Sequence, residues 1–164
     1  MRHIISILLQ NEAGALTRVT SLFSSRGYNI ESLSVAPTED SRVSHLTMVT
    51  YGSDAVIDQI NKQLFKLVDV VNIADMTRDE HFERELLLMK VKLHEGVSVA
   101  DIISAAGARV LDHAPGNFTV ELTGTGMQID GFMETLGSRS EILAVVRSGA
   151  MAIARVTATS SPAF

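Results

Sequence analysis

The sequence predicts an α+β fold of two consecutive β-α-β-β-α-β units, and three observations carry that expectation. The chain has 164 residues, room for one ordinary domain or two small ones on a prior of roughly 100–200 residues per domain. Strand-like apolar runs alternate with amphipathic helical stripes in one order, and that order occurs twice. A polar stretch, Thr77-Arg78-Asp79-Glu80-His81, lies between the two passes. The expected division is 1–77, a linker at 78–81, a second unit at 82–157 and a frayed tail at 158–164. Units of about 80 residues are marginal alone, because small domains bury a smaller share of their surface.

The first unit opens on Ile4–Leu9, apolar on both faces as a central strand would be. Gln10–Gly14 breaks the run. Leu16, Val19 and Phe23 then recur at helical spacing, which predicts a helix from Ala15 to about Arg26, stopped by Gly27. Asn29–Ala36 reads as a second strand ended by Pro37, Thr38–Arg42 as a hairpin loop, and Val43–Tyr51 as a third strand. Ser53 or Asp54 can cap a helix whose stripe is Ile57, Ile60, Leu64 and Leu67. Val68–Met76 is the fourth strand.

The second unit repeats the order. Phe82–Leu93 is its first strand. Ser98 and Asp101 resemble a capping box, followed by the stripe Val99, Ile102, Ile103 and Ala106, with Gly107 as the stop. Ala108–Ala114 and Phe118–Thr123 flank the turn signal Pro115-Gly116-Asn117. Gly126–Leu136 is a helix with Ile129, Phe132, Met133 and Leu136 inward, and Glu141–Val156 supplies the last strand. Each unit is thus of the ferredoxin-like type, with one sheet face under two helices and the other left for a neighbouring unit or chain to cover.

Composition narrows the function. Apolar residues make up 46% and mean hydropathy is +0.20, which is globular composition. The net charge of −5 and pI near 5.5 argue against a partner bound through its phosphate backbone. The sequence has no cysteine, which removes disulfides, thiolate metal sites and a thiol nucleophile, and fits a reducing compartment. No apolar run approaches the ~20 residues of a membrane span. The N-terminal run is shorter than the ~7–15 residues of a signal-peptide core and meets Gln10-Asn11-Glu12 at once, so a cytoplasmic protein is expected.

Catalytic and metal motifs are missing from the sequence. His3, His45, His81, His94 and His113 show no metal-ligand spacing and read as solvated strand-end residues. No serine sits in a nucleophile elbow, and Gly124-Thr125-Gly126 lacks the third glycine of a dinucleotide fingerprint. One segment offers more. Asn11-Glu12-Ala13-Gly14-Ala15-Leu16 joins the central strand to the first helix, whose N-terminal N–H groups suit a carboxylate. Gly14 permits close approach, and the amides of Asn11 and Asn29 could hold an amino acid's polar ends. Asn29 is expected at the same end of the sheet as the loop. On residue chemistry alone, Asn11 and Gly14 read first as turn and cap residues, and Asn29 as satisfying its own backbone.

Several strings resemble one family: N-E-x-G-A-L at 11–16, L-F-S-x-R-G-Y-N-I-E-S-L at 22–33 and V-A-P-T at 35–38. Q-L-x-K-L-V-D-V at 63–70, R-E-L-L-L-x-K-V at 84–91 and Arg147-Ser148-Gly149 extend the likeness. Together they resemble the small, regulatory subunits of acetolactate synthase (acetohydroxyacid synthase). The resemblance implies an N-terminal ACT domain that binds an effector, followed by a second ACT-like domain. It implies no catalytic residues and no cofactor in this chain; thiamine diphosphate, FAD and Mg²⁺ would belong to the catalytic subunit, which this chain would bind and activate. It also implies feedback inhibition by valine in branched-chain amino acid (valine, leucine, isoleucine) biosynthesis, with the effector at the interface of a homodimer. Carried over by position, the effector site falls on Asn11, Gly14, Ala15 and Leu16, with Asn29 and Ile30 from the facing chain. The alternative is a stand-alone ACT-type amino-acid sensor serving another enzyme or a transcriptional partner.

Overall fold

A computed structural model describes residues 1–156. The tail expected at 158–164 and residue 157 lie outside the described residues. The first unit contains β1 (Arg2–Gln10), α1 (Ala15–Ser24), β2 (Ile30–Pro37), β3 (Val43–Tyr51), α2 (Asp54–Leu64) and β4 (Val70–Asp75). Its antiparallel sheet has the order β2-β3-β1-β4. The second contains β5 (His81–Leu93), α3 (Ala100–Ala106), β6 (Arg109–Ala114), β7 (Asn117–Gly124), α4 (Gly126–Gly137) and β8 (Ser140–Arg147). Its strands run β6-β7-β5-β8, the same topology. The expected α+β class with two βαββαβ units is what the chain forms.

Patterning explains the first core. β1 is central, and Ile5, Ile7 and Leu9 project to one face, where Val19 and Phe23 of α1 and Ile57, Ile60 and Leu64 of α2 close over them. Burying each such side chain contributes about 1.5–3 kcal/mol. Gly27 takes a left-handed φ of 71° and ends α1: its N–H reaches Ser24 C=O, and Tyr28 N–H reaches Phe23 C=O. Gly107 ends α3 in the same way, with Gly107 N–H on Ser104 and Ala108 N–H on Ile103.

Four expectations are corrected. The last strand does not run unbroken over Glu141–Val156. It stops at Arg147, where Ser148 and Leu86 exchange two hydrogen bonds, and Gly149 turns the chain at φ 77°. A separate short strand follows, β9 (Met151–Ala154).

Second, residues 150–156, expected to continue that strand, pack with residues 1–82, while Glu83–Gly149 forms the other compact unit. Ala150 and Ala152 are buried against Ile4, Val49 and Met76, and their N–H groups reach the hydroxyls of Ser32 and Thr47. Ala150 and Ala152 thus cover part of the first sheet's second face, their small side chains letting the segment lie close to it.

Third, Ser98 does not cap α3. Val99 occupies the N-cap position without a side-chain bond. The capping box belongs to α4 instead, where Gln128 N–H reaches Thr125 Oγ1 at 3.3 Å and Thr125 N–H reaches Gln128 Oε1 at 2.9 Å. Fourth, two histidines are not solvated. His3 is 2% exposed, beside Gly52 C=O, Thr77 and the carboxylates of Asp54 and Asp75. His45 is half-buried, 2.6 Å from the hydroxyl of Ser6, and burial pushes its pKa below the usual value.

Candidate functional site

The loop between β1 and α1 is held from three sides. Gln10 N–H donates to Asp69 C=O at 2.7 Å, and Asn11 N–H to Arg42 C=O at 2.7 Å. The Asn11 side-chain amide donates to Ser41 C=O at 2.9 Å, which ties the loop to the β2–β3 hairpin. That hairpin is itself braced by Arg42 on Asp40, whose carboxyl is lowered to about 2 by the guanidinium and by the Arg42 N–H. Asn11 is thus a loop fastener through its Nδ2, with its Oδ1 still available to accept.

Gly14 is the N-cap of α1 at φ 87°, a conformation that L side chains rarely adopt. Ala15 is buried, and Leu16 is half-buried against the core. The first helical bond runs from Arg18 N–H to Gly14 C=O at 3.0 Å. The N–H groups of Leu16 and Thr17 precede that ladder and face the loop without an intrahelical carbonyl.

Sequence reasoning passed over Arg18 and Asp69 as site residues. Asp69 follows α2 and is 3% exposed. Arg18 binds it in a fork, Nε to Oδ2 at 2.5 Å and Nη2 to Oδ1 at 2.7 Å. This pairing holds the Asp69 carboxyl below its ordinary range and raises the guanidinium. The remaining nitrogen, Nη1, lies 3.0 Å from the place a Cβ on Gly14 would occupy. A signal was present in the string: Arg18 falls one turn after Gly14, the spacing at which a helical side chain reaches back over the N-cap.

Asn29 does not lie at the end of the sheet where the sequence reading put it, and Ile30 follows it. Ile30 pairs with Thr50, which pairs with His3, and Thr50 Oγ1 donates to Asn29 C=O at 2.7 Å. Asn11 instead follows Gln10, which pairs with Val43. At about 3.3 Å per residue the two asparagines stand a strand's length apart, at opposite ends of the sheet. The expectation of one shared end within a chain is overturned: β1 and β2 run parallel to one another across β3, so the end of β1 and the start of β2 are at opposite ends. The sheet brings Asn11, Gly14, Ala15 and Leu16 together and leaves Asn29 and Ile30 apart from them.

That far end carries its own polar cluster, His3, Asp54, Asp58, Asp75, Thr77 and Arg78, around a cavity of about 270 Å³. Arg78 pairs with Asp54, and Thr77 with Asp75. Among the described residues no group of histidines and carboxylates is arranged to hold a metal ion. None of the helices described is long and apolar enough to cross a membrane. In the second unit, Arg147 reaches both oxygens of buried Glu85 as well as Asp130, and this network anchors the end of β8.

Comparison with known proteins bears on both units. Residues 5–72 match the family model described as an AHAS small subunit-like ACT domain, and residues 84–156 the model described as the small subunit of acetolactate synthase. The acetolactate synthase isozyme 3 small subunit of Salmonella typhimurium is 43% identical over 157 residues, covering 94% of this chain and 96% of the relative. The protein of the same name from Escherichia coli is 42% identical with the same coverage. Among solved structures, the acetolactate synthase small subunit of Thermotoga maritima aligns with a TM-score of 0.85 at 29% identity, covering 96% of this chain and 99% of that one.

Proposed function

Because the chain belongs to the acetolactate synthase small-subunit family, we propose that it acts as the regulatory partner of that enzyme's catalytic subunit, stimulating it and conferring inhibition by valine. The observation that carries this reading is the match of both units, in order, to the two domains of that family. The chemistry, with its thiamine diphosphate, FAD and Mg²⁺, belongs to the catalytic chain, and this chain supplies affinity for a partner and for an effector. A cytoplasmic location follows from that partnership.

The geometry supports an effector site completed by a second copy. β2 is an edge strand of its sheet, with backbone groups open to another strand. Antiparallel pairing of two β2 strands about a centre between Leu33 and Ser34 sets Ile30 of one chain beside Pro37 of the other. Pro37 pairs with Ser44, at the hairpin end to which Asn11 is tied. The two-fold axis thus carries Asn29 and Ile30 to the partner's loop, the end they do not reach in their own chain.

In that seam the N–H groups after Gly14 receive the valine carboxylate, and Asn11 and the facing Asn29 hold its polar ends. Leu16 and the facing Ile30 flank the isopropyl group. Threonine binds less well, since its hydroxyl finds no partner there. A ligand that touches two chains favours one dimer arrangement over another, a coupling typically of about 1–3 kcal/mol.

The decisive experiment is the activity of the catalytic subunit with and without this chain, titrated with valine. Stimulation together with a valine-dependent fall is expected; neither appearing would sink the proposal. Asn29→Ala and Gly14→Asp should abolish valine inhibition, with stimulation recorded alongside to show that the variant still docks. Full valine sensitivity in either variant overturns the site. Capture of the catalytic chain from a mixture separates this reading from a free-standing sensor.

A further inference from the structure

We propose that Arg18 is a specificity-determining residue of the effector site: the guanidinium edge that Asp69 leaves free receives the effector's carboxylate, and Asp69 holds that edge in place. The proposal rests on the reading of the β1–α1 loop as an effector site and names the group that reads the ligand's charge there.

A guanidinium is a planar fork with two usable edges, whereas an ammonium is a point charge. Asp69 takes one edge, through Nε and Nη2. Compensating a buried carboxylate requires a cation, and a lysine would serve that purpose; only an arginine does so and still presents a second edge in a set direction. The second edge is set over Gly14, where Nη1 stands 3.0 Å from a Cβ position that the glycine leaves empty. Asp69 also accepts the N–H of Gln10 through its own C=O, so one residue fixes both the chain's exit from β1 and the aim of Arg18.

The charge is permanent. The Asp69 hydrogen bonds raise the Arg18 pKa, and the Asp69 and Glu12 charges add to the effect. Glu12, exposed in the loop itself, adds its negative charge to the surroundings of Arg18. Gly14→Asp would place a second carboxylate directly against Nη1, filling the seat from within the chain.

The test is calorimetric titration of the full chain with valine and with valinamide, which keeps the side chain and amino group but has no carboxylate. The unmodified protein should prefer valine strongly. Arg18→Lys keeps a cation for Asp69 but has no second edge, and should weaken valine by about 10-fold or more, the range of a lost charged hydrogen bond. Valinamide affinity should stay unchanged, so the preference collapses. Asp69→Asn, which frees the fork, should weaken valine less. If Arg18→Lys binds valine as tightly as the unmodified chain, or loses valine and valinamide in equal proportion, Arg18 has a structural role only and the inference fails. If Asn29→Ala abolishes valine binding while Arg18→Lys does not, the effector reading stands and this inference alone falls. If the unmodified chain binds no valine, both fall together.

Discussion

α1 and α3 occupy the same place in two units of one topology, yet they are seated differently. α1 has 10 residues and buries Ala15, Val19 and Phe23. α3 has 7 residues and buries none of its own. Beside α3 an apolar pocket of about 640 Å³ opens to solvent, lined by Leu93, Val99, Ile103, Val110 and Phe118 among others. The second unit's rigid helix is α4, with its capping box and buried Ile129, Phe132 and Leu136. A shared element order therefore does not imply a shared division of labour. The first unit holds its first helix firmly, and the loop before that helix is the one with a set geometry.

The largest test of this difference is packing. Phe23→Ala should cost about 3–5 kcal/mol, because a fully enclosed ring leaves a cavity. Ile103→Ala, at the edge of a space that already exists, should cost about 1 kcal/mol or less, since little new void forms. Equal losses in denaturant unfolding would show that α3 is as firmly seated as α1.

Capping comes next. Thr125→Ala removes a bond at the start of α4 and should cost about 1 kcal/mol. Ser98→Ala makes no comparable loss at α3, within about 0.5 kcal/mol. A cost for Ser98→Ala matching that of Thr125→Ala would restore the capping box that the sequence predicts there.

The smallest effect is in pH. His45 has a folded pKa below its ordinary 6.5 because burial disfavours the imidazolium. The unfolded chain binds the proton first, so the stability from this group is complete above about 6.5 and is lost as pH falls from there through the lowered folded value. Thermal unfolding from pH 7.5 to 5 should show that decline, and His45→Gln should flatten it. A slope that survives His45→Gln would assign the decline to another group.

Much of this was legible in the residues. Val43–Tyr51 matches β3 at both ends, and Gly27 and Gly107 stop their helices as glycines at C′ do. The loop at 11–16 stood out because it joins a central strand to the N-terminus of an amphipathic helix, whose free N–H groups suit a carboxylate. The rest depended on contacts between distant residues. Ser98 and Asp101 satisfy a capping pattern that the backbone at Val99 does not adopt, and His3 looks like any strand-end histidine until four neighbours close around it. The direction of Arg18 is fixed by Asp69, 51 positions away in the chain.

Local order is a matter of near neighbours: period, turn residues and helix stops are set within a few positions, and these determined two βαββαβ units and the candidate loop from sequence alone. The packing of Ala150 and Ala152 against the first sheet, the separation of Asn29 from Asn11 and the aim of Arg18 were decided by the tertiary structure. Each depends on which strand lies beside which, and strand order is set by the burial of whole faces rather than by any short string of residues.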